Sequence, residues 1–303
     1  MILTRIVPIL LILMGLLACS DNDGLPQQAD PDFTPKNTKI SFLEGSRPTV
    51  LIDEAHNNFH TARGRYKPFV QVLESDGYIV KANKKAFALK NLKQADILVV
   101  SNALHEKNRW DWTPPYLHAF SSQEVAAIKQ WVTQGGSLLL IADHIPFPKA
   151  AEPLLDAFGF KFINGHVSEA IFGKNRHSLV EHAITTASLD SEPISQVKTF
   201  GGSAFQMPKN AVSLLTFNKE VIASIPKKAF EVTTDTPRIS INGWSQGAVL
   251  ELGKGRIAVF GEAAMFTSQI YIPTKEKSGF VSKKAQQNER FLLNVMHWLS
   301  HKL

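Results

Sequence analysis

The chain has 303 residues, of which 44% are hydrophobic and 20% charged. This composition is typical of globular proteins and excludes an intrinsically disordered chain. The formal net charge is +6, but the lysines are spread along the sequence rather than gathered on one stripe, so nucleic-acid binding is not expected.

The N-terminal residues 1–18 have the pattern of a secretory signal peptide: Arg5 precedes an almost unbroken apolar run that is short for a membrane span. The run ends Leu-Leu-Ala before Cys19, which resembles the lipobox of bacterial lipoproteins. The resemblance implies cleavage before Cys19, acylation of its thiol and, with Ser20 following, sorting to the outer membrane. We therefore expect a lipid-anchored protein of the bacterial cell envelope, on the periplasmic side of that membrane.

The next segment, residues 19–46, is polar, rich in Asp and Pro, and has no apolar periodicity. These features predict a flexible tether that holds the following domain, residues 47–303, away from the membrane.

The domain begins with strands and helices that alternate along the chain. Apolar runs predict strands, and apolar residues at helical spacing predict the helices between them. This alternation favours an α/β domain with a doubly wound, mainly parallel sheet. The predicted strands are residues 49–53, 78–80, 95–100 and 137–142, and the predicted helices are residues 59–75, 122–133 and 150–158.

The alternation breaks at residues 165–246, where short strand patterns and many turn residues predict a β-rich inserted section. Residues 248–252 and 256–261 then read as a hairpin whose second strand returns to the main sheet and carries Glu262 to its end. An amphipathic pattern over residues 285–303 predicts a closing helix.

Four segments carry a resemblance to a known family: VLIDEAHNNFH, GGSLLLIADHIPFPKAAEPLLDAFGF, GKGRIAVFGEAAMF and QNERFLLNVMHWL. Together they resemble the bacterial DUF4350 group, within the class I glutamine amidotransferase-like superfamily. The resemblance implies a flavodoxin-like fold over most of residues 47–303. True amidotransferases use a nucleophilic cysteine. Because Cys19 is the only cysteine and lies outside the domain, a cysteine-dependent glutaminase is excluded.

Two predicted strands run into an acid and a histidine, Asp53 with His56 and Asp143 with His144. Side chains just past the carboxyl ends of parallel strands line the ligand crevice, so these pairs and Glu262 are the candidate catalytic residues. With a strand order of 2-1-3-4-5, the first and fourth strands end about 10 Å apart. A zinc or other divalent ion held by His56, Asp143 and His144 is therefore one hypothesis, and metal-free acid–base catalysis is its rival. Either acid could instead cap the helix that follows it.

The loop RWDWTPPYLHAF follows the third predicted strand and would overhang the same crevice. Trp110, Trp112 and Tyr116 could stack on a sugar ring there, with His60 as a further ligand-binding candidate, or the rings could pack as a lid without a ligand. Arg63, Arg65 and Lys67 could hold an anionic substrate, although a solvated face is the default for such residues.

Three functions remain open at this point. The first is an envelope protein that binds a carbohydrate or another cell-envelope ligand without turnover. The second is a hydrolase, with or without a metal. The third is a scaffold for other envelope proteins. The absence of a nucleophilic cysteine and of a compact metal motif favours the first and third, whereas the titratable groups at strand ends favour the second.

Overall fold

The computed structural model describes residues 24–186 and 193–303. The predicted signal peptide and the lipidation site Cys19 lie outside these ranges. The described chain is an α/β domain built on a large mixed sheet with helices packed against it. Its helices are α1 (Lys67–Ser75), α2 (Leu89–Leu92), α3 (Ser122–Thr133), α4 (Phe147–Ala157) and α5 (Asn288–Leu299).

The large sheet has a parallel half and an antiparallel half. The parallel half contains β2 (Thr49–Asp53), β3 (Ile79–Asn83), β4 (Ile97–Ser101), β5 (Ser137–Ile141) and β14 (Gly255–Phe260) in the spatial order β3-β2-β4-β5-β14. Counted along the chain, this is the order 2-1-3-4-5. Strand β14 returns to the sheet parallel to β5, with Phe260 opposite Ile141, as the predicted hairpin required.

The antiparallel half continues from β14. It consists of β6 (Lys161–Phe162), β9 (Phe205–Gln206), β10 (Val212–Thr216) and β13 (Ser245–Leu252). Two smaller ribbons pair β7 (Ala170–Gly173) with β8 (Gln196–Thr199) and β11 (Ile222–Ser224) with β12 (Arg238–Ser240). Within its described residues, the section 165–246 adds short strands, turns and one short 3₁₀ helix, Lys174–Arg176. Strands β9, β10 and β13 extend the large sheet, whereas the two ribbons are separate from it.

The parallel strands other than the edge strand β3 are buried on both faces because their side chains alternate between two cores. Val50, Ile52 and Phe260 point into a core with α1 and α5, whereas Leu51 and Leu98 point into a second core with α3 and α4. The continuous apolar runs of the sequence are explained by this burial.

Most predicted elements match the structure within three residues, but the first helix begins later than predicted. The periodicity placed its start at Phe59, whereas α1 starts at Lys67. Residues 61–66 form turns instead, closed by bonds from the Gly64 and Tyr66 amides to the Thr61 carbonyl. Pro68 then occupies the first helical turn, where its missing N–H leaves no bond unmade.

The segment predicted as a flexible tether is packed on the domain from β1 (Gln27–Ala29) onward. This strand pairs with β15 (Ser268–Tyr271), which also pairs with β16 (Glu276–Gly279). Asp30 is buried and paired with Lys277 at 2.7 Å, and Phe33 packs on Phe280 with ring centroids 5.5 Å apart. The prediction of a flexible tether reaching residue 46 was therefore wrong from β1 onward. The few apolar residues of this segment make specific contacts with the domain and do not form a periodic face that the sequence could reveal.

No helix in the described ranges is long and apolar enough to cross a membrane.

Candidate functional site

The carboxyl ends of β2, β4, β5 and β14 bring most of the predicted polar residues to one edge of the sheet. Asp53 ends β2, Asn102 follows β4, Asp143 follows β5, and Glu262 follows β14. All four side chains are buried. These polar side chains are therefore inside the protein, and the hydrogen-bond partners of each one determine whether it is available for catalysis or binding.

His56 lies between two carboxylates. Its Nδ1 is 2.9 Å from Asp53 Oδ2, and its Nε2 is 2.8 Å from Glu124 Oε1 on α3. The ring packs between Phe87 and Phe120, with centroids 4.5 and 4.8 Å away. Burial alone would lower the pKa of His56, but the hydrogen bonds and charges of the two carboxylates outweigh burial and raise it. Both ring nitrogens therefore donate, and His56 acts as a charged bridge.

Glu124 is the partner of His56 on α3. Its position three residues after the helix cap suggests a capping role, but nothing in the sequence indicates its contact with His56. Its carboxylate accepts from the Ser121 backbone N–H and hydroxyl and from His56. The Glu124 N–H in turn donates to the Ser121 hydroxyl oxygen, which completes a capping box. Burial alone would raise the pKa of Glu124, but Ser121 and His56 lower it to about 2. Asp53 also accepts from Asn58 Nδ2 at 2.5 Å, which ties the loop after β2 to the strand end.

Asp143 and Glu262 form a second group, next to each other because β5 and β14 are neighbours. The Asp143 carboxylate accepts from the amides of His144 and Ala263, and Glu262 accepts from the amides of Ala264 and Met265. Burial and the nearby Asp143 charge raise the pKa of Glu262 well above its ordinary value. Each of the two carboxyl groups thus accepts hydrogen bonds from two backbone N–H groups, as in a helix cap.

The two groups lie on different sides of the sheet. His56 contacts Phe87 and Phe120 of one core, whereas the Asp143–Glu262 group lies with Ala263 and Met265 of the other. The predicted metal site of His56, Asp143 and His144 is therefore wrong: both nitrogens of His56 are used by carboxylates. Across residues 24–186 and 193–303, no group of three or more His, Cys, Asp or Glu is arranged to hold a metal ion.

His60, predicted to bind ligand, is instead part of the interior. It is only 3% exposed, and its ring lies against Tyr66 with centroids 4.5 Å apart. Burial and the nearby Arg65 charge hold its pKa well below the ordinary value, so the ring is neutral. Asn102 and Gln269 occupy its two nitrogens. His60 therefore supports the wall of the crevice from behind.

Two cavities of about 630 and 670 Å³ lie above this polar interior. They share Leu25, Phe59, Arg109 and Trp110, and we call them together the groove. The first cavity is polar and the second aromatic. The further lining residues used below are Glu54, Asn57, Arg65 and Lys84 in the polar cavity and Trp112, His144, Phe230 and Tyr271 in the aromatic one.

The aromatic loop of residues 105–118 is held in a fixed shape by Asn108. Its side-chain amide donates to the carbonyls of Asp111, Thr113 and Pro115, and its oxygen accepts from the Leu117 amide. Tyr116 does not line either cavity, contrary to prediction: its hydroxyl donates to the carbonyls of Trp112 and Lys227 and braces two loops. The loop therefore presents Trp110 and Trp112 without needing a ligand to order it.

Phe230 completes the aromatic wall from the β-rich section. Its ring stacks on Trp112 at 5.9 Å and contacts His144 at 5.1 Å, yet it is 69% exposed. Its φ of 64° lies in the left-handed region, which costs a bulky residue on the order of 1 kcal/mol. Its exposure and strained backbone make Phe230 a candidate ligand-binding residue.

Arg65 was predicted to be solvated but is 5% exposed. Its guanidinium lies 3.8 Å from the centre of the Phe59 ring and donates to the Phe59 carbonyl at 3.0 Å. Phe59, which also lines both cavities, is thereby fixed at the boundary between the polar and aromatic halves of the groove. No period or motif in the sequence distinguishes Phe59 or Phe230 as site residues.

Of the predicted catalytic residues, only His144 lines the groove. Its ring lies 4.7 Å from that of His166, and burial together with this neighbour lowers the pKa of His166 to about 4. Of the predicted ligand-binding residues, Trp110 and Trp112 line the groove. The arrangement offers flat apolar faces beside polar and charged groups.

No family model and no curated protein matches the sequence. Among solved structures, the chain is similar to the mmIFT52 N-terminal domain, with 15% identity, a TM-score of 0.56, and coverage of 83% of this chain and 97% of that one. It is also similar to a cytoplasmic protein from Salmonella typhimurium LT2 (13% identity, TM-score 0.48, 83% and 98% covered) and to a ThuA-like protein from Bacteroides uniformis (13%, 0.42, 89% and 95%). Only the first has a TM-score above 0.5, and at 15% identity it supports the α/β fold alone.

Proposed function

We propose that this protein is a lipid-anchored component of the bacterial envelope that binds a carbohydrate in the groove without turning it over. The observation that carries the proposal is the pairing of an aromatic cavity with a polar one across a shared boundary. Each cavity taken singly has a volume suited to a small saccharide, since ligand cavities commonly measure about 300–1,000 Å³.

The aromatic half suits the apolar face of a sugar ring. Trp110, Trp112 and Phe230 expose ring surface from loops that are already ordered by their own hydrogen bonds and stacking. Stacking on rigid aromatic groups costs little conformational entropy, which favours binding of a flat, uncharged surface.

The polar half suits the hydroxyl groups of the same ligand. Glu54 offers carboxylate oxygens, Asn57 an amide, and Arg65 and Lys84 cationic donors, all lining one cavity. Lys84 lies 3.9 Å from Glu54, so the charges partly balance within the cavity. A neutral polyhydroxylated ligand fits this mixture of donors and acceptors.

Binding is preferred to hydrolysis because the predicted catalytic carboxylates do not face the groove. The Glu54 carboxylate does face it, but it already accepts a hydrogen bond from the Ala62 amide and lies beside Lys84. Asp53, Asp143 and Glu262 hold backbone or side-chain donors instead, and His56 is used at both nitrogens. A general acid or base must reach the substrate within hydrogen-bond distance. The resemblance to the DUF4350 group and the 2-1-3-4-5 strand order support a flavodoxin-like, doubly wound fold of amidotransferase-like type as part of the same proposal.

A glycan array probed with the purified protein tests the proposal. Trp112→Ala and Trp110→Ala should each lower the signal for any bound glycan at least tenfold. Ile222→Ala is the matched control, because Ile222 is an exposed apolar residue that lines neither cavity. Equal signals for all four proteins would reject the groove as the site, and release of shorter sugars from a bound glycan would show a hydrolase instead.

The proposed anchor is tested separately by Cys19→Ser. The variant should lose acyl label and leave the membrane fraction. A variant that keeps both would contradict lipidation at this cysteine.

A further inference from the structure

Three large side chains on the rim of the groove are exposed although each is strongly apolar or amphipathic. Trp110 is 62% exposed, Phe230 69% and Tyr271 44%, and all three line the aromatic cavity. They come from separate parts of the chain: the loop after β4, the β-rich section and β15. We call these three residues the aromatic rim. Tryptophan and tyrosine are the residues that concentrate at membrane–water interfaces.

The N-terminal arm reaches the domain at this same rim. Leu25 lines both cavities, and β1, which follows it directly, is fixed by pairing with β15, the strand that carries Tyr271. Cys19 precedes Leu25 by six residues. Even fully extended, six residues span only about 20 Å. An anchor on Cys19 would therefore hold the aromatic rim, rather than another face of the domain, close to the bilayer.

We infer that the aromatic rim is a membrane-contacting surface and that the groove opens toward the lipid, so that its ligand is the saccharide part of a membrane-bound glycolipid. The inference rests on the proposed anchor and deepens the proposed function by naming the class of ligand. Trp110, Phe230 and Tyr271 enter the interfacial layer, and the groove between them receives a head group from the membrane side.

The charges around the rim predict how this contact depends on lipid composition. The three segments that form it, residues 105–118, 225–236 and 271–279, carry six basic and five acidic side chains. Because the basic and acidic side chains nearly balance, attraction to anionic lipids contributes little to the free energy of membrane contact, and insertion of the aromatic side chains contributes most of it.

Quenching of tryptophan fluorescence tests the contact in the full chain reconstituted into phosphatidylcholine vesicles with brominated acyl chains. Bromine quenches only indoles at the depth of the lipid chains. Wild-type emission should fall relative to unbrominated vesicles, and Trp110→Leu, which keeps an apolar rim, should remove at least half of that quenching. Trp244→Phe should retain it, because Trp244 is partly buried against the core and lines neither cavity. Adding phosphatidylglycerol should leave the quenching unchanged.

Equal quenching in wild type and Trp110→Leu, or no quenching in either, would overturn the inference. Quenching that appears only with phosphatidylglycerol would overturn it as well. Because these vesicles contain no saccharide, such a failure leaves carbohydrate binding standing, whereas failure of the glycan array leaves the membrane contact standing.

Discussion

Replacing His56 by alanine removes the charged bridge between Asp53 and Glu124. Asp53 is fully buried and would keep only the Asn58 amide and the Ala55 N–H as partners. Removing one partner of a buried ion pair costs about 3–5 kcal/mol, and the space left between Phe87 and Phe120 adds to this cost. We expect the free energy of unfolding to fall by about 4 kcal/mol, or the Tm by about 10 °C for a domain of this size.

The same substitution has a defined pH dependence. The folded-state pKa of His56 is raised above its unfolded value of about 6.5, so its stabilising contribution is fully present below that pH and is lost as the pH rises through the folded pKa. The stability difference between wild type and His56→Ala should therefore be larger at pH 6 than at pH 9. Using the difference cancels the titration of the other histidines.

Urea denaturation followed by circular dichroism at both pH values measures this difference. His56→Gln is a useful comparison, because it keeps one donor but cannot bond both carboxylates. A loss below about 1 kcal/mol for His56→Ala, or a loss that grows with pH, would refute the charged-bridge assignment.

Three further outcomes are expected. Gly202→Ala should destabilise the protein by more than about 3 kcal/mol in urea denaturation, because φ is +97° and a Cβ would lie 2.1 Å from the Gly261 carbonyl oxygen; an unchanged midpoint would refute this backbone contact. Asp76→Asn should cost about 2 kcal/mol in the same assay, because the buried carboxylate accepts a hydrogen bond from His297 Nε2 at 2.6 Å; a neutral effect would argue against this hydrogen bond. For His166, burial holds the folded pKa at about 4, so the unfolded state binds its proton first and wild-type stability should fall between pH 6.5 and 4; His166→Phe should flatten this fall, and identical slopes would contradict the assignment.

The parallel half of the sheet was readable from the sequence because its strands are buried on both faces. The middle of strand Thr49–Asp53 is a continuous apolar run, Val-Leu-Ile, and the predicted limits of this strand and of helix Ser122–Thr133 are those observed. The helix is also marked at its start by Ser121 and Glu124, whose capping box is local in sequence. Where the determinant was local or strongly periodic, the prediction held.

The candidate site was harder to predict, because its residues depend on the direction in which each side chain points after its strand. The spacing of residues along the sequence does not reveal that direction. His56 follows β2 closely, but its ring turns toward α3, and nothing in the sequence links it to Glu124, 68 residues later. The prediction of a flexible tether failed at residues 27–37 for a related reason. The partners of this segment, Lys277 and Glu289, lie about 250 residues away in the sequence. Trp110 and Trp112, which line the groove, could be singled out because they follow a recognisable strand, whereas Phe230 lies in a turn with no such guide.

The central claim is that the groove holds a carbohydrate between its aromatic and polar halves. Isothermal titration of the array-selected glycan into wild type, Arg109→Gln, Trp112→Ala and Ile222→Ala tests it most directly, since Arg109 lines both cavities. We expect one site per chain, a Kd raised at least tenfold by Trp112→Ala and severalfold by Arg109→Gln, and no change with Ile222→Ala. The same Kd for all four proteins would contradict the account.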